Sequence, residues 1–263
     1  VTAVPVGRRG SDLSAVAALF WREWRVFRRI WFAPAFGSVV EPIVYLLVFG
    51  YGFGALVSEV AGISYLDFMA TGAAANAVLL TGLFAGAFTG FFRRTAEHLY
   101  DGLLSTPIGV AHVIAGEATW TGARCAGVAV TTIAVAWAFG VELAWSAAWV
   151  PVIGFVGGFA FACLGAAIGA RMRSDQQVDV VVAGVFAPMF VVSWTFFPLD
   201  DAPAWLQWPA QVSPLTHLVG LLRAAALGRS VAGDVLVDVV VLAGFTALFW
   251  ALAVRSLRAA LMD

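Results

Sequence analysis

Long apolar runs separated by short charged junctions organise this chain. Residues 30–58 hold one charge, Glu41, and 68–92 hold none. Residues 118–141 hold Arg124 alone, 143–170 and 180–199 hold none, and 235–254 hold Asp238 alone. A helix needs about 20 mostly apolar residues to cross the hydrocarbon core of a bilayer, so the pattern predicts six membrane-spanning helices. A further run, 202–222, contains Pro203, Pro209 and Pro214. Proline interrupts a helix, and broken backbone at membrane depth must be covered by protein or line a cavity. The run therefore reads as short helices re-entering from one face over about 200–228.

Ahead of the first span, residues 12–32 read as an amphipathic helix that Asp12 can cap. Leu13, Val16, Phe20, Trp24, Phe27 and Trp31 recur at helical spacing as one narrow stripe, and Arg22, Arg25, Arg28 and Arg29 fall on the opposite side. Such a helix lies in the membrane interface, aromatic side down and arginines toward headgroups. The pattern also allows docking of the stripe on a partner protein.

Composition places the whole chain in the bilayer. Of 263 residues, 62% are hydrophobic and 12% are charged, against about 25% charged in soluble domains. An ordinary soluble enzyme, a disordered chain and a disulfide scaffold are excluded, and a net charge of −1 gives no reason to expect nucleic acid. All 15 basic residues are arginine. Without a lysine the chain cannot form a standard phosphate-binding Walker A loop. Cys125 and Cys163 lie in apolar runs and read as small buried hydrophobes.

Arginine placement sets the expected orientation. With six spans, one side receives Arg8, Arg9, Arg22, Arg25, Arg28, Arg29, Arg93, Arg94, Arg171, Arg173, Arg255 and Arg258, and the other receives Arg223 and Arg229. Both termini are expected in the cytoplasm of a bacterial cell, with the protein in its cytoplasmic (inner) membrane. Residues 1–33 form the cytoplasmic N-terminus, 34–258 the transmembrane domain, and 259–263 a cytoplasmic tail. The fold class is all-α and polytopic.

Catalytic constellations are scarce. His98, His112 and His217 do not stand at metal-ligand spacing, and no metal site is expected. Asp200 and Asp201 read as a solvated turn after Pro198. Charges inside or near the spans are Glu41, Glu117, Arg124, Asp179 and Asp238. Glu41 and Arg124 sit at matching depths in the first and third runs, so they are candidate partners. Glu117 and Asp179 compete for Arg124, and the alternative is that each charge snorkels to the interface or faces a wet cavity by itself. The cytoplasmic loop 93–107 is more informative. Thr95 can cap a short helix and Pro107 can stop it. Leu99 and Leu103 share one face, Glu97 and Asp101 another, which suits docking into a cleft of a soluble partner.

Four stretches carry a family resemblance: Glu41-Pro42-Ile43-Val44-Tyr45-Leu46, Asp101-Gly102-Leu103-Leu104-Ser105-Thr106-Pro107-Ile108, Phe196-Phe197-Pro198-Leu199, and Ser213-Pro214-Leu215-Thr216-His217 before Arg223. In this order and spacing the chain resembles the membrane subunits of type-2 ABC exporters, especially the nodulation-factor (lipo-oligosaccharide) and drug-export permeases. The resemblance implies six membrane helices, an interfacial helix before them, and outer re-entrant helices between helices five and six. It also implies a helix between helices two and three that couples the permease to an ATPase, and a complex of two permeases with two ATPase subunits. The coupling role then falls on Thr95, Glu97, Leu99, Tyr100, Asp101, Leu103, Leu104 and Thr106. An outer-gate role falls on Pro198, Pro214, His217 and Arg223.

The expected function is the permease subunit of an ATP-driven exporter of an amphiphile: a glycolipid, a lipo-oligosaccharide or a hydrophobic drug. ATP and magnesium would bind the partner ATPase, with no cofactor and no covalent chemistry in this chain. A second permease copy, or a sister permease, and the bilayer complete the expected partners. A secondary transporter and a membrane-embedded lipid-modifying enzyme are the other classes the composition admits. The first would show internal repeats with helices broken at the midplane, and the second convergent polar groups at one interface.

Overall fold

The computed structural model describes residues 12–54, 57, 59–60, 62–96, 99–106, 108–174, 177, 181–193, 195, 204–229 and 235–262. Among the described residues the structure is all-α apart from one small hairpin. Helix α1 spans Asp12–Ile30, and α2 spans Phe32–Tyr45 and continues as a π-helical stretch, Leu46–Phe53. Strands β1 (Glu59–Val60) and β2 (Ile63–Ser64) pair antiparallel, Glu59 opposite Ser64. Helix α3 (Tyr65–Phe84) passes through a π turn, Ala85–Thr89, into α4 (Gly90–Thr95). Ser64 caps α3, its hydroxyl accepting from the Asp67 amide at 3.1 Å. A short loop helix, α5 (Leu99–Leu104), precedes α6 (Val110–Ala138). A 3₁₀ turn, Trp145–Trp149, leads into α7 (Val150–Gly169). Then come a π turn (Val182–Phe186), α8 (Ala187–Val192), α9 (Ala204–Val212), α10 (Pro214–Leu227) and α11 (Val235–Met262).

Among the described residues, five helices are long and apolar enough to cross a membrane: Phe32–Gly52, Tyr65–Thr95, Val110–Ala138, Trp145–Gly169 and Val235–Leu261. The run 180–199, expected as a sixth span, contains the shorter apolar helix Ala183–Val192, and residues 196–203 lie outside the described residues. The proline-rich run forms two helices, α9 and α10, that meet at Ser213, with Pro214 at the first position of α10 where its missing amide costs nothing.

The second span forms the centre of the bundle. Its most apolar stretch is 78% buried, against 11% for the first span and 17% for the last. Leu79, Leu83, Cys125, Phe161, Leu218 and Leu222 meet in the main core. Small residues set the spacing. A Cβ at Gly86 would overlap the Ala162 carbonyl, and one at Gly165 would overlap the Leu83 carbonyl, so the second span, α3 with its π turn, and α7 approach backbone to backbone. This close packing substitutes for a hydrophobic driving force that lipid cannot supply.

Candidate functional site

The end of the bundle that carries α1 and α5, expected on the cytoplasmic side and called inner for that reason, is tied by one charged network. Glu23 of α1 is buried on the same side as Leu19, and Leu19 rests against Gly116 of α6. Arg93 of α4 reaches both neighbouring elements: one Nη donates to Glu23 Oε2 at 2.7 Å, the other to Glu117 Oε1 at 2.9 Å. The Tyr100 hydroxyl of α5 donates to the second Glu117 oxygen at 2.9 Å. Arg22 also donates to Glu23. Four elements, α1, α4, α5 and α6, therefore share a continuous set of charge-assisted hydrogen bonds. Burial pushes the Glu23 carboxyl up, but Arg93 and Arg22 outweigh it and hold it below the ordinary carboxylate value. Burial first, then the Glu117 carboxylate, push the Tyr100 phenol well above its ordinary value, so it stays a neutral donor.

Around this network lies a small cavity walled by Glu23, Thr89, Arg93, Glu117, Thr121 and Arg124. Beside it, Phe20, Trp24 and Phe27 surround Trp120 of α6 with ring centroids 5.4, 6.1 and 5.4 Å away. Part of the aromatic stripe of the N-terminal helix therefore packs on the third span of its own chain, while Leu13 and Trp24 keep exposed surface. Arg25 and Arg29 remain exposed, as does Trp31 at the turn into α2. Two further arginines clamp the inner end. Arg94 donates to the Ala170 and Met172 carbonyls, and Arg171 donates to the Ala167 carbonyl and to Ser256.

The expected loop helix of 95–106 is shorter in the structure. Thr95 ends α4, its hydroxyl donating to the Phe91 carbonyl at 2.8 Å, so it does not cap the loop helix. Glu97 lies outside the described residues. Leu99, Tyr100, Asp101, Leu103 and Leu104 lie on α5. Leu103 is half-buried against the chain's own inner core, which corrects its assignment to an outward docking face. Gly102, Ser105 and Thr106 are exposed, and the Ser105 hydroxyl closes the helix end on the Gly102 carbonyl at 2.7 Å.

The candidate pair Glu41–Arg124 is not formed: among the described residues no ion pair joins them. Arg124 lines the inner cavity, and Glu41 is exposed on α2. Glu117, the expected competitor for Arg124, is taken by Arg93 and Tyr100. Asp179 lies outside the described residues.

At the outer end, Pro198 also lies outside the described residues. Pro214 is buried at the start of α10. His217 Nδ1 meets Asp238 Oδ1 of α11 at 2.7 Å, and Nε2 meets the Gln211 carbonyl at 2.9 Å. Both ring nitrogens face acceptors, which is the pattern of an imidazolium. The hydrogen bond that His217 donates to Asp238, working against burial, accordingly raises the His217 pKa. Arg223 is 1% exposed. Its guanidinium carbon sits 3.7 Å over the Phe68 ring, and Nε donates to the Thr71 hydroxyl at 3.1 Å. Arg223 is thus a buried packing element of the bundle, not a loop charge, and the arginine bias between the two sides is steeper than the sequence count suggests.

Sequence reasoning missed Glu23 and Arg93 as partners. The signal was a carboxylate set among Leu19, Phe20 and Phe27 on the apolar side of α1, where an unpaired charge would be costly. Among the described residues, no group of His, Cys, Asp or Glu could hold a metal ion.

Known proteins resemble the chain over most of its length. The family model described as ABC-2 type transporter matches residues 14–227. Nodulation protein J of Rhizobium leguminosarum bv. trifolii is 30% identical over 235 residues, covering 88% of this chain and 86% of that protein. Nodulation protein J of Rhizobium leguminosarum bv. viciae is 30% identical over 82% of this chain and 83% of its own length. The inner membrane transport permease YadH of Escherichia coli strain K12 is 23% identical over 81% of this chain and 83% of its own.

Proposed function

The chain belongs to the ABC-2 type transporter family, and from that premise we propose that it is the permease subunit of an ATP-driven exporter, coupled to a separate ATPase through α5. The observation that carries this reading is Tyr100. It joins a loop helix whose Gly102, Ser105 and Thr106 are open to a partner to the buried Glu117–Arg93–Glu23 set. A push on α5 is transmitted to α6, to the end of the second span and to α1 without crossing a soft contact. ATP binding and hydrolysis in two ATPase subunits, which would hold ATP and magnesium, would draw the loop helices of two permeases together. The path between the permeases would then open outward. The cargo is an amphiphile, in keeping with a bundle of apolar spans and little interior polarity. The protein sits in the inner membrane with the arginine-rich side and both termini in the cytoplasm.

The test is Tyr100→Phe in the full chain co-expressed with the neighbouring ATPase. The change removes one hydrogen bond to a carboxylate, about 1.5–3 kcal/mol, and keeps the ring. The expected result is normal copurification with several-fold lower transport-linked ATPase activity. Failure of any ATPase to copurify with the unaltered chain would sink the reading. Unchanged coupling in Tyr100→Phe would remove α5 from it.

A further inference from the structure

The first span is the one least covered by its own chain, 11% of its most apolar stretch being buried. Glu41 is the tenth of the 21 residues Phe32–Gly52. At 1.5 Å per residue it lies about 14 Å from the start of the span, near the middle of a hydrocarbon core roughly 30 Å thick. The side chain is exposed, and so are Val39, Val44, Leu47, Val48 and Tyr51 around it. No basic side chain among the described residues pairs with it. A carboxylate at this depth facing acyl chains is costly, and ionisable groups within spans face a bundle interior or a water-filled cavity. Exposure keeps Glu41 out of the interior of its own chain, and the path between two permeases that the exporter reading requires is the water-filled cavity it can face.

Two independent features mark the same strip. Ser38 and Tyr45 stand three before and four after Glu41, on one side of the helix, so the polar positions form a line along an otherwise apolar span. Directly beyond, the helix relaxes into π turns over Leu46–Phe53, with Tyr45 and Phe49 stacked at 5.8 Å. π insertions concentrate at functional sites, and aromatic faces beside a carboxylate are the chemistry that holds an ammonium group.

We propose that Glu41 lines a water-filled route along α2 and recognises a cationic head group on the cargo, with the Tyr45–Phe49 pair as its aromatic wall. This assignment rests on the exporter reading and names the substrate chemistry of its path. It assigns to Glu41 a role separate from the inner network, which handles only contacts within the chain.

The experiment uses the full chain co-expressed with its ATPase, in membrane vesicles, with Cys125→Ala and Cys163→Ala. Ser38→Cys reports from one turn away, and Glu41→Cys reports from the site itself. Two thiosulfonate reagents of equal size are compared, one cationic and one anionic. Both are expected to modify the Ser38→Cys protein, the cationic one about ten-fold faster than in free solution because a carboxylate in a cleft concentrates cations. Adding Glu41→Gln should return that preference to its solution value. Dodecylamine should protect the introduced thiol of Ser38→Cys while Glu41 is intact, and dodecanol at the same concentration should not. Absence of reaction at both positions shows lipid or dry protein and overturns the route. A reagent preference unchanged by Glu41→Gln overturns the role of the charge, and equal protection by the amine and the alcohol overturns the cationic head group. Copurification of an ATPase is scored on the same membranes, so failure of the exporter reading and failure of the Glu41 assignment give different results.

Discussion

The two ends of the bundle bury charge in opposite ways. At the inner end one arginine is shared by two carboxylates on different helices, and a tyrosine from the loop helix joins them. At the outer end each buried charge has its own slot: His217 with Asp238, and Arg223 over Phe68 with Thr71. A shared partner links elements, so displacement of one is felt by all. Separate charges link their neighbours without a common partner: His217 of α10 meets Asp238 of α11 and the Gln211 carbonyl of α9. On the proposed function the inner end would transmit movement and the outer end would hold position.

Three experiments break or sharpen that contrast. The largest effect is all-or-none. In a Cys125→Ala, Cys163→Ala background, Glu142→Cys should react with a membrane-impermeant thiol reagent added to intact cells, whereas Ser105→Cys should react only after permeabilisation. Both positions are exposed. Labelling of Ser105→Cys from outside would reverse the assignment of inner and outer ends.

Next is Arg93→Ala, which strands two carboxylates at once. Removing one partner of a buried ionic set costs about 3–5 kcal/mol. The low end applies here, because the Arg93 side chain keeps 16% of its exposure. Folded protein in the membrane should fall sharply, as read by size-exclusion profile. Arg93→Lys should recover part of the loss, since an ammonium cannot fork to both carboxylates as guanidinium does. Equal behaviour of Lys and Arg would mean that sharing is unimportant.

The smallest effect is in pH, and it has opposite signs at the two ends. The Glu23 carboxyl is held below its ordinary 4.5, so its stabilisation is present above that value and is lost as pH falls through the lower folded value. The His217 imidazole is held above its ordinary 6.5, so its stabilisation is complete below 6.5 and is lost as pH rises through the higher folded value. Melting temperature should therefore decline on both flanks, by roughly 2–4 °C for each kcal/mol lost. Glu23→Gln should flatten the acid flank alone and Asp238→Asn the alkaline flank alone. If either variant flattens both, the two ends are not independent.

Much of this molecule was legible in sequence because its solvent is lipid. A bilayer imposes a length of about 20 apolar residues on every span, and the runs between charges displayed it. Proline at 214 announced the break between α9 and α10, where its missing backbone donor costs nothing, whereas Pro209 lies inside α9. Family membership was likewise written in short local stretches, from Glu41-Pro42 to Ser213-Pro214. The partners of charges were not legible. Arg93 and Glu23 are 70 residues apart, and Arg223 and Thr71 are 152 apart. Periodicity says which side of its own helix a residue occupies but not which helix faces it. Depth matching put Glu41 with Arg124, yet two groups at equal depth can point away from each other around their helices. The aromatic stripe of α1 showed the same limit. Its spacing determined that Phe20, Trp24 and Phe27 form one face. Only the packing of α1 on α6 decided that Trp120 meets part of this face, because an apolar face is satisfied equally by protein or lipid and spacing along one helix does not select between them.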